Sequence, residues 1–95
     1  MGDPTPLTAW GFRRFQSARS GKWRLCVLGD APGRAGIESS AVSAIDIPTR
    51  VVTTASGSRY RLDGPWMYAD RKGAPQELAA ILDWYGEWVP WVEER

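Results

Sequence analysis

The sequence predicts an α+β domain: a small curled antiparallel sheet or barrel of about five strands, with one C-terminal helix packed on it. Three observations predict it. Short stretches rich in β-branched and aromatic residues recur between glycine- and serine-bearing turns. A single stretch near the C-terminus, Leu78, Ile81, Leu82, Tyr85 and Val89, repeats at helical spacing. The chain has 95 residues, which suits one domain spanning 1–95 and leaves no room for a second core.

Residues 1–8 hold Pro4 and Pro6 without periodicity and read as a frayed lead-in. Trp10 to Gln16 reads as the first strand, with Trp10, Phe12 and Phe15 as its apolar members. Their uneven spacing suggests a bulge near Arg13-Arg14. Ser20-Gly21 is a turn, after which Lys22 to Leu28 alternates cleanly, Trp23, Leu25 and Val27 on one side and Arg24 and Cys26 on the other. The composition of Gly29 to Gly36 reads as a loop, a long connection extending to Ser40. Its glycines match neither the dinucleotide fingerprint nor the P-loop, so a phosphate cradle is disfavoured there.

Ala41 to Ile47 is expected to be a strand closed by Pro48. Arg50 to Ala55 is a stronger one, because Val51, Val52, Thr53 and Thr54 are all β-branched. Ser56-Gly57 turns the chain, and Ser58 to Leu62 returns with Tyr60 and Leu62 on one face and Arg59 and Arg61 on the other. Asp63-Gly64-Pro65 breaks the strand; Trp66-Met67-Tyr68 starts a short apolar run that ends by Gly73. Pro75 suits a first helical turn, Glu77 suits its positive end, and Pro90 stops the helix.

Composition narrows function. The chain has no histidine, so Ser-His and Cys-His pairs and histidine-ligated metals are excluded. Cys26 is the only cysteine, which excludes an internal disulfide and a cysteine-based zinc site. In the run Leu25-Cys26-Val27-Leu28 it reads as a small buried hydrophobe, compatible with a reducing cytoplasm. Asp83 and Glu87 lie one helical turn apart but read as solvated helix-surface carboxylates. No stretch is apolar enough to span a bilayer, and no leader pattern opens the chain. The expectation is a cytoplasmic, non-enzymatic protein with no cofactor.

Two constellations point to binding. The chain carries six tryptophans, and Trp84, Trp88 and Trp91 are spaced four and three apart. Trp84 and Trp88 fall at the margin of the aliphatic helical arc, and Trp91 joins them if the helix outlasts Pro90. This row is either the edge of the core or an exposed patch for a protein partner or a homodimer. The second constellation is Arg59 and Arg61 on one strand face, which Arg24 and Arg50 join if the hairpins share a sheet. It is a solvated face, a seat for an acidic protein, or the basis of the alternative function, a small nucleic-acid-binding barrel with Tyr60 available for stacking. Charge is uneven: residues 1–72 hold eleven Lys/Arg against six Asp/Glu, and residues 73–95 hold one against five.

The run Thr54-Ala55-Ser56-Gly57-Ser58-Arg59-Tyr60-Arg61-Leu62 resembles the hairpin motif T-x-S-G-S-x-Y-x-L of short uncharacterised proteins from bacteria, phages and mobile elements. The resemblance implies a compact interaction protein, an inhibitor that occludes a host defence complex as anti-CRISPR proteins do. It assigns no residue roles.

Overall fold

The computed structural model describes residues 3–85 and 92–93. Its strands are β1 (Thr5–Leu7), β2 (Ala9–Gln16), β3 (Trp23–Ala31), β4 (Arg34–Asp46), β5 (Val51–Thr54), β6 (Arg59–Leu62) and β7 (Val92–Glu93); α1 is Leu78–Trp84. The result is a mainly-β domain with one short helix. None of the helices among the described residues is long and apolar enough to cross a membrane.

Six strands follow one hydrogen-bonded path, β1-β6-β5-β4-β3-β2, and β7 pairs β4 off that path. The sheet is mixed, because β1 runs parallel to β6 and β7 parallel to β4. This corrects two expectations. The sheet is not wholly antiparallel, and its path is open rather than curled or closed into a barrel, since no ladder joins β1 to β2. The two end strands are consecutive in the chain and each keeps its own partner. The switch falls at Thr8: Leu7 O accepts from the N–H groups of Asp63 and Gly64, while Thr8 N donates to Asp30 O.

Residues 5–7 are therefore not a lead-in. Leu7 is fully buried, and burying it favours ordering a short terminal segment that composition alone leaves free. Nor is there a bulge at Arg13-Arg14, because β2 pairs β3 over eight consecutive residues without a shift. The register shifts lie instead between β3 and β4 and between β4 and β5.

The glycine-rich stretch expected to be a loop is a hairpin. β3 continues through Gly29-Asp30-Ala31 and β4 starts at Arg34, leaving Pro32-Gly33 as the turn. Proline pre-sets the first central position and Gly33, at φ 76°, takes the left-handed second one. Asp30 Oδ1 accepts from Gly36 N and ties the two strands beyond the turn. Composition signals breakage here, but each residue supplies a turn or an irregular strand position.

The β5–β6 hairpin forms where the sequence places it, with Val51 opposite Arg61 and Thr53 opposite Arg59. Its motif residues build the turn. Thr54 N donates to Ser58 O, Gly57 N to Thr54 O, and the hydroxyls of Thr54, Ser56 and Ser40 form a chain that links the turn to β4. At the opposite end of β5, Arg50 sits at φ 61°, a sparsely populated conformation for a side-chain-bearing residue. Its Nε donates to Leu62 O, and its guanidinium lies 5.5 Å over the Trp10 ring. Those contacts offset the backbone cost.

One core gathers Leu7, Trp10, Leu25, Val27, Val42, Ile45, Val52 and Leu62 from the strands with Leu78, Ile81 and Leu82 from α1. Cys26 is buried too, as expected for a small hydrophobe. The helix starts at Leu78, later than Pro75: Glu77 occupies the cap position with extended dihedrals and no side-chain cap bond. The aliphatic arc itself begins at Leu78, so packing rather than capping sets the start. The remainder of the expected helix, with Glu87, Trp88, Val89 and Pro90, lies outside the described residues.

Gly64 is the tightest backbone junction. A Cβ there would fall 1.7 Å from Thr8 O, and Gly64 O accepts the Trp10 Nε1–H at 2.6 Å. Gly64→Ala is expected to cost about 2–4 kcal/mol in urea unfolding through this backbone clash. Gly57→Ala, with open space around it and only a positive φ to resist, is expected to cost about 1 kcal/mol.

Candidate binding surface

Residues 63–77 carry no strand or helix of their own, yet they position the most distinctive side chains. Trp66 forms an isolated parallel bridge with Trp10, and Met67 N donates to Trp10 O. These bonds hold the segment against the outer edge of β2. Successive turns then close through Ala69 N to Trp66 O and Arg71 N to Tyr68 O. As a result Trp66 points into the core, while Met67 and Tyr68 remain exposed. Met67 packs over Gly11, whose missing side chain leaves room for the thioether.

The rings form a continuous series from interior to surface. Trp10 meets Phe12 edge-on at 5.7 Å and Trp66 at 6.3 Å. Trp66 meets Tyr68 at 5.5 Å, Trp84 at 5.3 Å and Tyr85 at 6.2 Å, each edge-to-face. Trp84 also meets Tyr68 at 5.4 Å and Tyr85 at 5.6 Å. Such edge-to-face pairs add roughly 0.5–1.5 kcal/mol each beyond area burial and fix ring orientation. The Arg71 guanidinium stands 5.8 Å from both the Tyr68 and the Trp84 ring centroids. Trp84 remains 43% exposed and Tyr68 37% exposed.

Tyr85 ties the helix end to β2: the Phe12 backbone N–H donates to its hydroxyl at 3.3 Å, and the rings meet edge-on. Burial pushes the Tyr85 phenol above the ordinary tyrosine range, opposed by the Phe12 hydrogen bond and assisted by Tyr68.

The two expected constellations fare differently. Trp84 lies on the surface at the helix margin, as the helical arc implies. Trp88 and Trp91 lie outside the described residues, so the row is represented by Trp84 alone. Its neighbours come from Trp66-Met67-Tyr68 and Arg71, which periodicity does not flag. The available signal was three large apolar residues between the breakers Gly64-Pro65 and Gly73, too short for an element of their own.

The arginine face is smaller than expected. Arg59 and Arg61 both project outward from β6, but Arg61 is gripped by Asp63, Nε to Oδ1 at 2.6 Å and Nη2 to Oδ2 at 2.8 Å. That forked pair holds the Asp63 carboxyl below its usual range. Arg50 turns inward to Trp10 and Leu62. Arg24 is half-buried on β3, and its Nε finds no hydrogen-bond partner among the described residues. Neither joins Arg59.

A second exposed indole, Trp23, stands apart at the start of β3 under the Arg14 guanidinium, 5.0 Å from its centroid. No family model, curated protein or solved structure matches this chain.

Tyr85→Phe leaves the Phe12 N–H without its partner and is expected to cost about 1–2 kcal/mol near neutral pH. The raised phenol stabilises the fold fully below the unfolded tyrosine pKa, and that contribution is lost as pH rises through the folded one. Urea midpoints measured from pH 8 to 11.5 should therefore fall more steeply for the wild type than for Tyr85→Phe.

Proposed function

We propose that this chain is a non-enzymatic protein-binding module whose contact surface is centred on Trp84, Tyr68 and Arg71. One observation carries the reading. Tryptophan, tyrosine and arginine are residue types enriched where interfaces draw their binding energy, and here one of each meets in a single exposed group. Trp66 and Tyr85 back the two rings, so little side-chain entropy remains to be lost when a partner docks. The absence of histidine from the sequence supports a role in binding rather than acid–base catalysis.

Under the hairpin resemblance, the module is an inhibitor that occludes a host surface, with a folded protein as its target. A homodimer through the same surface is the self-association form of this reading. Of the two β6 cations proposed for the alternative, nucleic-acid binding, Arg61 is already engaged by Asp63.

The test uses the full chain as bait, with Trp84→Ala, Tyr68→Ala and Trp23→Ala variants checked for folding by circular dichroism. Proteins cross-linked to the wild type from a bacterial lysate should be lost with the first two variants and retained with the third. A hot-spot ring is expected to weaken capture by about 30-fold or more. Equal capture by wild type and Trp84→Ala overturns the reading. Sedimentation of the same variants separates the self-association form.

A further inference from the structure

A groove of about 480 Å³ opens between the β3–β4 turn, the β5–β6 turn and the start of β1. Its position follows from the topology: β1 lies beside β6 with Thr5 opposite Tyr60, and Arg34 and Arg59 are the first residues of β4 and β6. Both arginines line it, brought together from hairpins 25 positions apart in the sequence. Both are exposed, and neither guanidinium makes an ion pair or side-chain hydrogen bond with a described residue. Asp3 is the acidic residue among those lining the groove, and its field also reaches Arg61.

The remaining walls differ in kind. Ile37 is buried and gives an apolar floor; Tyr60, half-buried against the core, gives an aromatic wall; Thr5 adds a hydroxyl. The volume falls within the roughly 300–1,000 Å³ typical of small-ligand sites and exceeds what a bare inorganic anion fills. Two unpartnered guanidiniums favour a phosphate, which arginine binds through forked hydrogen bonds. An aromatic wall beside them favours a flat ring on the same ligand, because every base offers a face to stack.

We propose that this groove binds a nucleotide, with the phosphate between Arg34 and Arg59 and the base against Tyr60. The ligand is either a free mononucleotide or a nucleotide within a single strand. The site is separate from the Trp84 surface and does not depend on it.

Calorimetric titration of the full chain at low salt with AMP, adenosine, ribose 5-phosphate, inorganic phosphate and a hexameric oligodeoxythymidylate tests the assignment. AMP is expected to bind at least tenfold more tightly than adenosine, ribose 5-phosphate or inorganic phosphate. Arg34→Ala and Arg59→Ala should each weaken AMP at least tenfold with the melting temperature unchanged, and Arg61→Ala should leave AMP binding intact. Tighter binding of the hexamer than of AMP, with a steeper salt dependence, identifies the strand as the source; the reverse order identifies the free nucleotide. Three results overturn the proposal: no binding of AMP or hexamer, equal affinity for AMP and inorganic phosphate, or binding indifferent to an Arg34→Ala/Arg59→Ala double variant.

Discussion

The indole of Trp10 is where the separate parts of this fold meet. Its ring nitrogen donates to Gly64 O, its ring packs against Phe12 and Trp66, and the Arg50 guanidinium lies over it. It is 1% exposed, so a buried polar N–H must find a partner, and the carbonyl of a residue 54 positions away provides one. That bond holds the segment after β6 against β2. The approach is close enough that Gly64 tolerates no side chain, because Thr8 occupies the space. Everything that Trp66 supports, including the outward-facing Tyr68 and Trp84, is positioned through this contact.

Local chemistry made part of this legible. The β5–β6 hairpin declares itself through β-branched residues on one arm and Ser56-Gly57 at the bend, and the buried face of α1 follows from Leu78, Ile81 and Leu82. The Pro32-Gly33 hairpin was hidden because glycine marks loops and tight turns alike, and only the partner strand distinguishes them. β1 was hidden because three residues have no usable period; its order comes from burying Leu7 and from hydrogen bonds to residues near position 62. The open, mixed sheet could not be read at all, since parallel pairing of β1 with β6 leaves no trace in either strand.

The same distinction governs the candidate sites. Trp84 was visible from helical spacing, and Arg59 from strand alternation. The residues that give them a setting, Trp66, Tyr68, Arg71 and Arg34, are placed by tertiary contacts between distant segments. Arg61 shows the converse. Alternation puts it beside Arg59, but Asp63, two positions on, forms a forked pair with it, so neighbours of like charge end with unequal capacity for a ligand.

The parallel pairing of β1 with β6 also sets an order of events in the cell. Residues 5–7 leave the ribosome before their partner, and their hydrogen-bonding edge has no mate until the segment around residues 60–62 emerges. β1 thus waits for a partner far along the chain, whereas the intervening hairpins close on shorter-range contacts. Its dwell time as an unpaired edge makes a charged or proline-bearing neighbourhood useful, and Asp3, Pro4 and Pro6 supply one against premature pairing with other chains.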